Sequence, residues 1–182
     1  MSLTVEVDVH LDAADWAAAR DAETAAGLLS SPKVLSPVWF YDERGSDLFD
    51  EITRLDEYYP TRAERAILAA HSGDIARLTG ASTLVELGSG TSDKTRLLIE
   101  AMLAAGHLDR FVPFDVSEET LRAAASSLAV EYGISVRAVV GDFHRHLGRI
   151  PRVGRRVIAF LGGTIGNFDP VQRQGFLRDL RG

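Results

Sequence analysis

The sequence contains no cysteine, which excludes disulfides and thiolate chemistry from any account of it. No apolar run reaches membrane-spanning length, and the opening stretch MSLTVEVDVHLDAAD lacks a basic segment followed by an apolar core, so neither a span nor a secretion signal is expected. Cationic excess is also missing. The chain has 20 basic and 26 acidic residues, a formal net charge of −6, which removes any general attraction to phosphate backbones or anionic membranes and argues against a nucleic-acid substrate. The five histidines, His10, His71, His107, His144 and His146, show no HExxH or similar spacing, so no metal is expected. What remains is an acidic chain of 182 residues, expected to be soluble and cytoplasmic. Its length suits one domain, enough to bury about 70% of its unfolded surface if the architecture is complete.

The most informative stretch is TLVELGSG, residues 83–90. Leu84, Val85 and Leu87 surround one acid, Glu86, and the run breaks into Gly88-Ser89-Gly90. A short apolar run without alternation suits a parallel strand covered on both faces, and the two glycines allow backbone to approach a ligand where a side chain would collide. The following TSDKTRLLIEAMLAAG reads as a helix, with Leu97, Leu98, Met102 and Leu103 at helical spacing and Gly106 as its stop. Strand, glycine loop and helix together form the arrangement by which open α/β sheets hold nucleotide-like ligands. Three ligand classes compete. A phosphate-binding GxxxxGK[ST] loop fits residues 88–95 except that Asp93 replaces the second glycine, and a carboxylate there repels a polyanion. A dinucleotide GxGxxG fingerprint fails at the same residue. The third class is a nucleoside with no phosphate and a positive charge, S-adenosylmethionine, for which acids are an asset. A ligand-free glycine turn is the plain alternative, so the later strand ends must decide.

Before this stretch, residues 1–10 alternate loosely and suit a short edge strand, and residues 13–29 are alanine-rich and helical. A proline-punctuated connector, residues 31–37, leads to the aromatic cluster 38–42. Ser46 is expected to cap a helix with Leu48, Phe49 and Ile52 as its buried stripe. Thr61 and Glu64 fit a capping box for a helix carried by Ala66, Ile67 and Ile75 toward Leu78. After the glycine loop, residues 111–116 read as a second strand ending in Asp115. Its Pro113 cannot donate to a central ladder and must face a bulge or an unpaired side. Ser117 is placed to cap a helix over 118–132. Residues 136–140 form a third strand opening into Gly141-Asp142-Phe143. Residues 155–161 form a fourth, opening into a glycine-rich loop with Asn167, and a last helix covers 170–180.

The strand ends present Glu86 with Gly88 and Gly90, then Asp115, then Asp142 with Phe143. A carboxylate can accept from both hydroxyls of a ribose diol. An acid followed by an aromatic can accept from an adenine amino group while the ring covers the base. Any one acid-ended strand is more often structural, but three in order point to an adenosyl ligand. Asn167 could bond a small substrate or simply occupy a turn.

The strings WFYDERGSDLFDEITRLDEYYPTR, LVELGSGTSDKTRLL, RFVPFDVS, VVGDF and FLGGTIGNF resemble the S-adenosylmethionine-dependent histidine Nα-methyltransferases of ergothioneine biosynthesis, over nearly all of residues 31–182. The resemblance implies an α/β fold, the Rossmann-like sheet of class I methyltransferases. The sheet is expected to be incomplete, with about four parallel strands, and to carry an N-terminal helical cover. Residues 1–80 would be a helical region contributing to the substrate pocket, and residues 81–182 the first half of the cofactor domain. It further implies that Gly88, Lys94, Asp115, Asp142 and Phe143 bind S-adenosylmethionine, that Tyr58 and Asn167 contact L-histidine, and that Tyr41 lines the imidazole pocket. Packing of the two tyrosines into the core is their plain alternative. Asp56 stands where the family tends to have proline, Gly163 where serine is common, and His144-Arg145 where acids are usual.

The implied chemistry is direct displacement, the sulfonium methyl passing to the α-amino nitrogen, repeated to give the trimethylated betaine. An α-amino group has a reference pKa of about 8, so part of it is neutral near physiological pH and alignment matters more than a catalytic base. The family continues into further strands and substrate contacts, so the chain reads as the N-terminal part of such an enzyme, whose partner would be a C-terminal half. Two alternatives stand beside this: a methyltransferase of another amino-acid amine, and a cofactor-binding fragment acting only with a partner.

Overall fold

The computed structural model of the chain describes residues 4–40 and 43–181, which divide into two compact units, Leu11–Ala63 and Met1–His10 with Glu64–Gly182. Tyr41 lies outside the described residues.

In the smaller unit Asp12 caps helix α1 (Ala13–Leu29). Its Oδ1 accepts from the amides of Ala14 (2.8 Å) and Asp15 (3.1 Å), satisfying two donors that the first turn leaves open. A short 3-10 turn, Pro37–Phe40, brings Trp39 onto Trp16, ring centroids 4.7 Å apart. Helix α2 spans Glu43–Thr53, so Ser46 sits inside its first turn and is not the cap expected of it. Glu43 and Arg44 are good helix formers, and Gly45 costs only about 1 kcal/mol, too little to stop the helix extending upstream. Leu48 and Ile52 remain 41% exposed, which leaves Phe49 as the packed member of the expected stripe, edge-on to Tyr58 with centroids 6.0 Å apart. The turn before Tyr58 is pinned by Arg62, which donates to the carbonyls of Leu55 (2.8 Å) and Asp56 (2.6 Å).

In the larger unit five strands form one parallel sheet: β1 (Val5–Val9), β2 (Thr83–Leu87), β3 (Arg110–Asp115), β4 (Ser135–Val140) and β5 (Arg156–Ala159). Their spatial order is β1-β4-β3-β2-β5. The strand-end motifs make only four of these legible. β1 adds the fifth, pairing from Val5 with Val136 to Val9 with Val140, and Arg137 reinforces the pairing by donating to Asp8 Oδ2 at 2.7 Å. All five residues of β2 are buried, as a strand covered on both faces requires. The ladder between β2 and β3 is unbroken, whereas that between β3 and β4 skips from Phe111–Val136 to Phe114–Val139. Pro113 therefore turns its missing donor toward β4, the unpaired side expected for it.

Helix α3 runs Pro60–Thr79, with proline at the first position where no amide partner is needed. Thr61 is consequently inside the helix and the Thr61/Glu64 capping box does not form. Leu68, Ser72 and Ala76 make the buried face, four residues apart, while Ile67 (59%) and Leu78 (72%) are exposed. Helices α4 (Arg96–Ala104) and α5 (Glu118–Tyr132) follow β2 and β3, and Gly133 closes α5 in the left-handed conformation. Ser117 occupies the N-cap position of α5, but its hydroxyl pairs with that of Thr120 at 2.8 Å and caps no amide. Helix α6 (Pro170–Arg181) buries Phe176 and packs Leu180 against a core of Phe143, Phe160 and Phe168, leaving Leu177 half exposed. The loops after β4 and β5 supply the Phe143 and Phe168 rings of that cover.

From β2 the chain steps to β3 and β4 on one side, then returns with β5 to the other side of β2. This reversal opens a crevice beyond the carboxyl ends of β2 and β5, the place where open α/β sheets bind ligands.

Candidate functional site

At the carboxyl end of β2 the glycine loop folds back on β3. The amides of Gly88 (2.8 Å) and Ser89 (3.2 Å) both donate to the Phe114 carbonyl. Gly88 (φ +67°) and Gly90 (φ +48°) adopt conformations open to glycine, and a Cβ built at either meets nothing within 4 Å, so the loop faces open space. Ser92 is also left-handed (φ +58°), bent by the bond from its amide to the Ser89 carbonyl (2.8 Å). Asp93, which argues against phosphate in the sequence, is exposed and lies 3.9 Å from Arg96.

Asp115 ties three strand ends together. Its Oδ2 accepts from the Gly90 amide at 3.0 Å, and its Oδ1 from Val116 (2.7 Å) and Ser117 (3.2 Å). Its carbonyl accepts from Gly141 at 2.9 Å. A carboxylate offers about four lone-pair directions, so one direction, on Oδ2, is left for a ligand hydroxyl.

Beyond β4, Asp142 is buried at 7% exposure. Its Oδ1 accepts from the His144 amide (2.8 Å), its amide donates to His146 Nδ1 (3.1 Å), and Arg145 Nε stands 3.8 Å from Oδ2. The basic His144-Arg145 pair thus acts locally, one through its backbone and one through its charge. Phe143 lies in an aromatic group with Phe160 (5.5 Å), Phe176 (5.9 Å) and Phe168 (6.0 Å), each edge-on. A cavity of about 330 Å³ opens beside it, lined by Phe143, His144, Arg145, Leu147, Arg152 and Arg178 among others. A second cavity, about 130 Å³, lies at the opposite, amino edge of the sheet among Thr4, Glu6, Arg110 and Arg137, away from every strand-end acid.

On the β5 side, Lys94 forms an ion pair with Glu64 of α3. The other oxygen of Glu64 accepts from the Gly162 amide at 2.8 Å, at the start of the loop after β5. Gly162 (φ +85°) and Gly163 (φ +78°) permit that turn. Asn167 ends a 3-10 turn, Thr164–Asn167, with an exposed side chain. Tyr58 lies half-buried in the smaller unit against Phe49.

Beneath the glycine loop Glu86 is 4% exposed, and burial pushes its pKa up from 4.5 to about 7. The Thr95 hydroxyl donates to Oε1 and opposes the rise. Ser92 and Lys94 oppose it further, and the Asp115 charge adds to it. Oε2 and the hydroxyls of Ser89 and Ser92 are buried without completed hydrogen bonds.

The fold brings Gly88, Lys94, Asp115, Asp142 and Phe143 to one edge of one sheet. Sequence reasoning missed Glu64, because its spacing from Thr61 matched a local cap. It also missed Thr95, whose contact with Glu86 is made only when the loop closes between them.

A family model described as histidine-specific, SAM-dependent methyltransferase matches residues 20–182. A histidine N-alpha-methyltransferase of Mycolicibacterium smegmatis is 54% identical over 98% of this chain and 56% of its own length. The 4-dimethylallyltryptophan N-methyltransferase easF of Claviceps purpurea is 30% identical over 85% of this chain and 47% of its own. Among solved structures, the plantazolicin methyltransferase BamL, crystallised with an analog and SAH, matches the fold with TM-score 0.51 at 14% identity, covering 91% of this chain and 55% of that one. The chain therefore spans about half the length of the curated relatives it matches.

Proposed function

The chain belongs to the family of histidine-specific, S-adenosylmethionine-dependent methyltransferases, and from that premise we propose that it carries the cofactor half of an enzyme that methylates the α-amino group of L-histidine toward the trimethylated betaine. The observation that carries this reading is the order of groups along the carboxyl edge: Asp142 with Phe143 after β4, Asp115 after β3, the glycine loop after β2. In that order, Asp142 accepts from the adenine amino group with Phe143 beside the base. Asp115 accepts a ribose hydroxyl on its remaining Oδ2 direction, and Gly88 lets backbone approach the chain that follows. Lys94 bonds the cofactor on the far side of β2. The cofactor supplies an electrophilic methyl on sulfur. The chain's part is alignment: Asn167, in the loop after β5, and Tyr58 bond the histidine so that its neutral amine faces the methyl. No base is assigned to the protein: the amine must arrive neutral, and each N-methylated ammonium must give its proton to solvent before the next transfer.

Tyr58→Phe is expected to raise the KM for histidine about tenfold, the value of one hydrogen bond, and to leave S-adenosylhomocysteine affinity within about twofold. Equal loss of both would remove Tyr58 from the substrate side.

A second reading, another amino-acid amine as acceptor, draws on the likeness to the dimethylallyltryptophan N-methyltransferase. Methyl-labelled S-adenosylmethionine offered with L-histidine, L-tryptophan and other amino acids separates the two by mass spectrometry. The assay is run on the chain alone and with the C-terminal portion of the Mycolicibacterium smegmatis relative added. Label in histidine is expected. Label confined to a different amino acid would establish the second reading.

A further inference from the structure

Glu64, on α3, is assigned no role by the family likeness, yet it meets both loops that border the crevice. One oxygen pairs with Lys94 in the loop after β2 and the other accepts the Gly162 amide after β5. The side chains of the pair are only 23% (Lys94) and 27% (Glu64) exposed, and Lys94 Nζ lies 3.9 Å from where a Cβ on Gly162 would stand. A mostly buried pair of opposite charges at a ligand crevice is a match for a ligand carrying an ammonium and a carboxylate on one carbon.

The sheet order says which ligand. The adenosine groups fall at the ends of β4 and β3, and the chain of the cofactor crosses β2, so its amino-acid end is delivered toward β5, about three strand spacings of roughly 4.8 Å from β4. That end is a zwitterion. The methyl acceptor is also an amino acid, but an amine held as ammonium by a carboxylate has no lone pair with which to attack, so the acceptor is the wrong occupant.

We propose, resting on the cofactor reading above, that Glu64 accepts the α-ammonium of the cofactor's amino-acid end while Lys94 receives its α-carboxylate, the two side chains exchanging each other for the ligand. Neither charge is left unpaired before or after binding, which limits the desolvation cost of a mostly buried pair. The bond from Glu64 to the Gly162 amide keeps the carboxylate in place during the exchange and holds the loop that bears Asn167 at a fixed distance from the cofactor loop.

The test compares S-adenosylhomocysteine, which carries the amino-acid end, with 5′-methylthioadenosine, which lacks it, by calorimetry on the chain and on Glu64→Gln. Glutamine keeps an oxygen for the Gly162 amide and loses the charge. The expected result is a loss of about tenfold or more in S-adenosylhomocysteine affinity with methylthioadenosine unchanged within about twofold, which also shows that the variant is folded. Loss of both ligands in parallel, or of neither, overturns the assignment. A wild-type chain that binds neither ligand overturns instead the cofactor reading beneath it.

Discussion

Asp115→Ala is expected to weaken S-adenosylhomocysteine binding by about a hundredfold, the largest effect of any single change at the carboxyl edge. The carboxylate does two things that no neighbour duplicates. It fixes the amides of Gly90, Val116 and Ser117, and it keeps one Oδ2 direction for a ribose hydroxyl. A hydrogen bond to a charged acceptor contributes about 1.5–3 kcal/mol, and freeing the glycine loop adds an ordering cost on binding, which together reach about two factors of ten. The half-buried site lets water reach the released amides, so the loss of stability is smaller than the loss of affinity. Asp115→Asn keeps one acceptor oxygen and is expected to fall between. Calorimetry measures the affinities, and hydrogen exchange at Gly90 reports the loop. Unchanged affinity with a protected Gly90 amide would contradict the role given to Asp115.

The second large effect concerns Glu86 and pH. Its carboxyl titrates at about 7 in the folded chain against 4.5 ordinarily. Below about pH 4.5 both folded and unfolded chains hold the proton and Glu86 has no influence on the balance. Between 4.5 and about 7 the unfolded chain has released it while the folded chain keeps it, so stability falls as pH rises, and above about 7 the full cost is present. At about 1.4 kcal/mol per pH unit, that interval corresponds to about 3 kcal/mol. Glu86→Gln removes the ionisation and keeps an oxygen for the Thr95 hydroxyl. The variant is expected to match the wild type at pH 4.5 and to exceed it by about 2–3 kcal/mol at pH 8 in urea unfolding. Parallel pH profiles in the two proteins would place the ionisation elsewhere.

Strands that are buried on both faces and leave through glycine or an acid wrote themselves plainly into the sequence, because both features act within a few residues. β2, β3 and β4 were legible to within a residue or two for that reason. β1 offered only loose alternation, since it is a half-covered edge strand whose partner, β4, is more than a hundred residues away. The buried face of α3 was misread because Ile67 and Leu78 look like core residues, whereas the face that is buried carries the small residues Ser72 and Ala76. Glu64 shows the limit most clearly. A local pattern explained it well enough to hide its two partners, which lie 30 and 98 residues further along the chain. Groups whose meaning depends on a neighbouring strand's loop carry no signature at their own position.

The cofactor is expected to lie across the carboxyl edge from β4 to β5. Amide chemical-shift mapping on addition of S-adenosylhomocysteine tests this most directly. Perturbations are predicted at Gly88–Gly90, Asp115–Ser117, Asp142–His144 and Gly162, and not at Thr4, Glu6, Arg110 and Arg137 around the amino-edge cavity. Perturbations gathered at that opposite edge, or none at all at saturating ligand, would contradict it.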